Sequence, residues 1–231
     1  MSPDASHAGA PPAGASPLRV LLWPLLTRAL FDAAPAPGLF NPYRDFDPAL
    51  DVPDAPAIRR ANLAAYLDAL GAPPPILLVA EAPGPHGARF SGVPLTCEAQ
   101  LADPAFAFAG RPTCRLDVSG GPLKEYSAGI VHRALGADWS RVLIWNTVPF
   151  HPHPPGRPRG IRPPTRAEVR AFTPLLADVV AAVRPSRILA VGRVAERALA
   201  DAGAAATYLR HPSQGGARLF ADGLRAALTS F

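Results

Sequence analysis

Four short apolar runs punctuate the chain: ILLVA (Ile76–Ala80), VLIWN (Val142–Asn146), ILAVG (Ile188–Gly192) and ATYLRH (Ala206–His211). The first three have strand length and are apolar on both faces, as strands of a parallel sheet are when helices cover it on each side. Helical spacing fills the intervals. Ala57–Leu70 places Ile58, Leu63, Tyr66, Leu67 and Leu70 on one face, with Gly71 as a stop. Ser127–Leu135, Arg193–Ala202 and Ala217–Leu228 predict further helices. Between Pro163 and Arg184, Val169, Phe172, Leu175, Leu176, Val179, Val180 and Val183 trace a helical face behind a capping box of Thr165 and Glu168. Pro174 lies inside that pattern and predicts a kink or two helices. Leu18–Phe31 predicts a short helix interrupted at Pro24, and Pro35–Pro56 an irregular segment. Strands alternating with helices give an α/β fold with a mostly parallel sheet.

Composition narrows this little. With 231 residues, 48% of them hydrophobic, the chain can bury one good core, so one domain over residues 18–231 is expected. Residues 1–17, rich in Pro, Ala and Ser, lack the basic and apolar regions of a secretory signal and are expected to be a disordered tail. LRVLLWPLL is too short to span a membrane. The two cysteines, Cys97 and Cys114, are too few for a disulfide framework or an all-cysteine iron–sulfur site, so no cofactor is expected and a reducing, cytoplasmic setting follows by default.

Charge changes the picture more. The balance is +5, and Lys124 is the only lysine. Arginine suits planar, bidentate contacts to phosphate, which gives some weight to a nucleic-acid partner, although charge alone favours a merely soluble basic surface. Arg157, Arg159, Arg162 and Arg166 crowd one proline-rich loop, GRPRGIRPPTR, just after the second run.

Ligands of open α/β sheets bind at the carboxyl ends of strands. Here those ends carry Glu81, Asn146, Gly192 and His211. Each has an ordinary alternative: a loop cap for Glu81, an Asx-turn for Asn146, a backbone-satisfied turn for His211. Their joint placement on one rim is what points to a site. The Gly/Pro-rich stretch from Pro83 to Pro94 follows the first run and has no Walker pattern, which argues against a nucleoside triphosphate. His151 and His153, with no cysteine or carboxylate nearby in sequence, make a poor zinc site, and no metal is expected.

The motifs AEAPG, SGVPL, WNTVPFHPHPPGR and LRHPS, in this order, resemble those of the uracil-DNA glycosylase superfamily, and the likeness runs from about Ala57 to the end. It implies a three-layer αβα sandwich around a four-stranded, mostly parallel sheet. It further implies a glycosylase that extrudes uracil from single- or double-stranded DNA and hydrolyses its N-glycosidic bond, acting as a monomer in base-excision repair. By resemblance Asn146 reads the base edge, and His211 donates to the carbonyl oxygen where charge builds. Ala82 contacts the base through its backbone, and Glu81 orients the water. The loop of Ser213, Gln214 and Gly215, with Arg218, enters the duplex, and Arg157, Arg159 and Arg162 are expected on phosphates.

Three departures stand out. Ala82 occupies a position held by Asp or Asn in the best-known and single-strand-selective branches. The iron–sulfur branch keeps the preceding glutamate, here Glu81, but Phe150 stands in place of one of its four cluster cysteines. Leu95 replaces the aromatic residue that stacks on the base, and Phe90, on the same loop, is the expected substitute. The rival readings are a non-catalytic binder of single-stranded or damaged DNA and a glycosylase preferring hypoxanthine.

Overall fold

A computed structural model describes residues 14–106 and 108–229. The chain runs α1 (Pro17–Leu26), a π-turn (Thr27–Phe31), β1 (Leu39–Phe40), α2 (Ala55–Leu70), β2 (Ile76–Ala80), α3 (Ala88–Ser91), α4 (Glu98–Ala102) and α5 (Tyr126–Leu135). It continues through a 3-10 turn (Gly136–Arg141), β3 (Val142–Asn146), β4 (His151–Pro152), α6 (Arg166–Val183), β5 (Arg187–Val191), α7 (Gly192–Asp201), β6 (Thr207–Leu209) and α8 (Ala217–Thr229). Of the expected tail, residues 1–13 lie outside the described residues. Ser16 caps α1 by accepting from the Arg19 N–H, and its own N–H donates to Asp68.

The main sheet has the order β3-β2-β5-β6, and every pairing in it is parallel. Side-chain alternation divides the interior in two. Leu77, Val79, Leu143, Trp145 and Ala190 face one core with residues of α1, α2, α6 and α7. Ile76, Leu78, Ala80, Val142, Ile144, Leu189, Val191 and Leu209 face the other, under α5 and α8. This is the three-layer sandwich. At the β3 edge, Tyr66 from α2 accepts the Ile144 N–H at 2.8 Å, supplying a partner where the sheet offers none.

Both interior prolines leave their helices continuous. Pro24 sits within α1, and α6 is one helix through Pro174. The carbonyls they leave unbonded belong to Val20 and Arg170, which are exposed, so water can take the missing donor's place. The expected interruption at Pro24 and the expected split at Pro174 are therefore replaced by continuous helices. The proline-rich segment before α2 also contains an unforeseen strand: β1 pairs antiparallel with β4, Phe40 opposite His151.

That segment is held by a buried charge cluster. Asp51 receives Arg59 at 2.6 Å and Arg89 at 2.7 Å, all three side chains fully buried. Arg89 also lies 4.1 Å from the Phe40 ring. Gly92, which ends α3 at φ +74°, is required twice over, because a Cβ there would sit 2.4 Å from the Arg59 carbonyl oxygen. The loop leaving β2 is thus clamped onto α2.

Candidate functional site

Register places the rim. Ala80 pairs with Asn146 across β2 and β3, and Val191 with Leu209 across β5 and β6. The β3 chain keeps its ladder one step further, with the Thr147 N–H on the Ala80 carbonyl and the Val148 N–H on that of Glu81. Glu81, Asn146, Gly192 and His211 therefore all lie at, or just past, the carboxyl end of the sheet.

Asn146 is 2% exposed, and its Oδ1 is enclosed with no hydrogen-bond partner among the described residues. By strand alternation its side chain shares the face of Val142 and Ile144, the face on which Leu95 and Ala80 pack. A buried amide oxygen left unpaired costs free energy, and such groups in a folded protein call for a reason. Thr147 Oγ1 is enclosed and unpartnered in the same way.

His211 follows β6 and is half-buried. Its Nδ1 accepts the Ser213 N–H at 3.1 Å and lies 2.7 Å from the Ser213 hydroxyl. A ring nitrogen that accepts a backbone N–H carries no proton, so neutral His211 bears its hydrogen on Nε2. Burial first, and then the neighbouring Arg210, hold its pKa below the usual histidine value, which keeps the ring neutral at neutral pH. Gly192 turns the chain from β5 into α7 at φ +84°, and a Cβ there would lie 3.7 Å from that of His211.

Glu81 is half-buried, and burial alone raises its pKa; no hydrogen bond or ion pair reaches its carboxyl among the described residues. Ala82 packs against the first core. Next to it, the Pro83 carbonyl lies 2.8 Å from His151 Nδ1, so the first motif is fastened to the loop after β3. Leu95 is buried among Ala80, Ile130 and their neighbours at φ +45°, a conformation costly for a branched side chain. His132 of α5 braces it: the His132 Nε2 lies 3.1 Å from the Leu95 carbonyl and 3.2 Å from Thr96 Oγ1. Burial pushes the His132 pKa down to about 4.

Two expected site residues are placed elsewhere. Phe90 does not share the face of Leu95: it packs in a separate cluster with Ala55 and Cys114, beneath the Arg89 guanidinium at 4.2 Å. A helical turn over Ala88–Ser91 points it away from the second core. Arg162 is not free for phosphate, because it makes a bidentate pair with Glu168 (2.7 and 2.8 Å) and donates to the Gly38 and His153 carbonyls. Arg157 and Arg159 are exposed on the same loop, as are Gln214, Gly215 and Arg218 around the turn into α8. Gln214 (φ +52°) and Gly215 (φ +75°) are successive left-handed residues, which makes the Ser213–Gly215 loop a tight protrusion at the rim.

The cysteines do not suit a four-thiolate cluster. Cys97 caps α4, Cys114 donates to the Phe90 carbonyl, and Phe150 packs edge-on against Phe172. His151 and His153 each meet a backbone carbonyl through Nδ1. Sequence reasoning missed Glu125, which sits at the rim end of α5 with its carboxyl over the loop of the first motif. Its one signal was a glutamate standing where a helix would ordinarily begin with Ser, Thr, Asp or Asn.

The model of the uracil DNA glycosylase superfamily matches residues 68–223. The chain belongs to the uracil DNA glycosylase superfamily. Members bind DNA, and membership makes this protein a DNA glycosylase in kind. No curated protein sequence matches the chain. Among solved structures, the crystal structure of wild-type Pedobacter heparinus SMUG2 matches with a TM-score of 0.54 at 13% identity, covering 89% of this chain and 96% of that one. At that identity the likeness is one of fold, and it agrees with the parallel sheet and its two helical layers. No helix among the described residues is long and apolar enough to cross a membrane.

Proposed function

We propose that this glycosylase removes uracil from DNA by hydrolysing its N-glycosidic bond. The observation that carries the reading is the enclosed, unpaired Oδ1 of Asn146 at the end of β3. An amide offers one acceptor and two donors. Uracil presents an N3–H flanked by carbonyl oxygens, so one amide can accept from the first and donate to a second. Cytosine presents the reverse order, and an amide held in the uracil-reading orientation would find both its groups opposed. The acceptor left unsatisfied in the free protein is thus satisfied by the base.

The remaining roles follow from charge. As the bond breaks, the sugar gains positive charge and the base leaves as an anion. Neutral His211, donating through Nε2–H, stabilises the base oxygen on which that charge collects; a donor placed this way is worth about 3–4 kcal/mol. Glu81 acts as a carboxylate, orienting water and offsetting the sugar's charge. Its raised pKa means that activity falls as pH drops and the group is neutralised. Ala82 contributes backbone only. Leu95 lies beside the base as an apolar wall, and Arg157, Arg159 and Arg218 meet phosphates.

The test uses oligonucleotides carrying uracil, hypoxanthine or thymine, single- and double-stranded, assayed for alkali-labile abasic sites. Cleavage at uracil is expected. Cleavage at hypoxanthine alone would move the preferred base, and tight binding without cleavage at either would leave a non-catalytic binder.

A further inference from the structure

Glu125 is a half-buried carboxyl, packed over Gly84 and Gly87, that the account above leaves unused. It directly precedes α5, which covers the face of the sheet shared by Asn146 and Leu95. Because α5 leads through a short turn into β3, its first residue lies at the rim where β3 ends. Glu125 precedes His132 by seven positions, about 10 Å along the helix axis. His132 touches the Leu95 end of the loop after β2. Glu125 reaches the other end, over Gly84 and Gly87.

The fit there is close. A Cβ on Gly84 would lie 2.5 Å from Glu125 Oε1, and one on Gly87 would overlap Oε2, so the two glycines leave the hollow that the carboxyl occupies. Nothing in that hollow bonds to it. No hydrogen bond or ion pair reaches either oxygen among the described residues. Nor does the side chain cap α5, although a carboxylate at a helix start is stabilised by the free N–H groups and the dipole. The carboxyl is turned from a favourable partner within the chain into a loop that begins at Glu81 and Ala82.

We propose that Glu125 is a second carboxyl of the site and hydrogen-bonds the extruded nucleotide. This rests on the glycosylase reading above. The acid is suited to the task in its neutral form, which both donates and accepts. Burial pushes its pKa up to about 7, so a protonated population persists at neutral pH. The titratable groups around it are Glu81 and His86 on the facing loop and Lys124, Tyr126 and His132 on its own segment; none of them contributes to that shift. A neutral acid also brings no repulsion to a ligand that carries phosphates. Unpartnered, desolvated acids at the end of a sheet are a recurrent mark of function.

The experiment measures binding of an oligonucleotide bearing 2′-fluoro-2′-deoxyuridine, whose glycosidic bond resists hydrolysis, against the same strand bearing thymidine. The full chain, Glu125→Gln and Glu125→Ala are compared on either side of neutrality, with melting temperatures as the check on folding. The parent is expected to prefer the uridine analogue, more strongly at the lower pH. Glu125→Ala should lose about tenfold of that preference, the scale of one buried hydrogen bond to a ligand. Glu125→Gln should keep most of it and lose its pH dependence. A preference unchanged in size and pH dependence in both variants would overturn the proposal alone. A parent with no preference removes the glycosylase reading and this proposal together.

Discussion

Asn146 shows how a single residue can oppose stability and function. Its enclosed Oδ1 is a cost the free protein carries. Replacing it with leucine, of similar shape and no polar atom, should raise stability by about 1 kcal/mol, the usual penalty of an unmade buried hydrogen bond. The same change should abolish the choice of uracil over cytosine. Urea denaturation and single-turnover excision measure the two effects, and a variant that is both less stable and fully selective contradicts the assignment. For His211→Ala the expected outcome is a 10²- to 10³-fold loss in the chemical step, as for other lost oxyanion donors, with DNA affinity changed only a few-fold. Comparable losses in rate and in affinity would make His211 a binding residue. Both positions were legible in the sequence because strand ends are legible: an apolar run announces its own limit, and the next polar residue falls on the rim. The facing of Phe90 was not. One short turn, Ala88–Ser91, set by contacts to α2 that lie far away in sequence, decides which core it joins.

At the scale of elements, the loop between β4 and α6 divides its arginines by their partners. Arg162 is clasped by Glu168, the same carboxylate that completes the capping box with Thr165. Arg162→Ala is therefore expected to destabilise the fold, by about 1–3 kcal/mol as for a charge-assisted hydrogen bond, and to leave the salt dependence of DNA binding unaltered. Arg157→Ala with Arg159→Ala should do the opposite, leaving the melting temperature in place and lowering the slope of affinity against salt by about one for each lost phosphate contact. Titrations at several salt concentrations decide between the two patterns. The capping box was readable from spacing alone. That its glutamate also fixes Arg162 was not, because composition shows a cluster of arginines and only packing shows which one is already engaged. The prolines teach the same lesson in reverse: Pro24 and Pro174 read locally as breaks, but α1 and α6 are held by the core along one face and need no more than water on the other.

For the whole molecule, the desolvated titratable groups set opposing slopes of stability against pH. His132 is pushed from 6.5 down to about 4, so the stability it confers is complete above 6.5 and is lost as pH falls towards 4. Glu125 is pushed from 4.5 up to about 7, so its contribution is complete below 4.5 and is lost as pH rises towards 7. Each unit is worth about 1.4 kcal/mol, and across the shared interval the two slopes nearly cancel. His151 and His211, also held low by burial, add to the first slope, and Glu81, held high, adds to the second. Glu125→Gln removes the largest falling contribution without changing the shape of the side chain. Its stability is expected to climb steeply with pH between 4.5 and 6.5, where that of the parent stays nearly level. The gain over the parent should be least at pH 4.5 and greatest above pH 7. Denaturant melts across that range measure the difference directly. A gain of the same size at every pH would mean that the Glu125 carboxyl titrates alike in the folded and unfolded chain, and would remove the premise that it waits, desolvated, over Gly84 and Gly87.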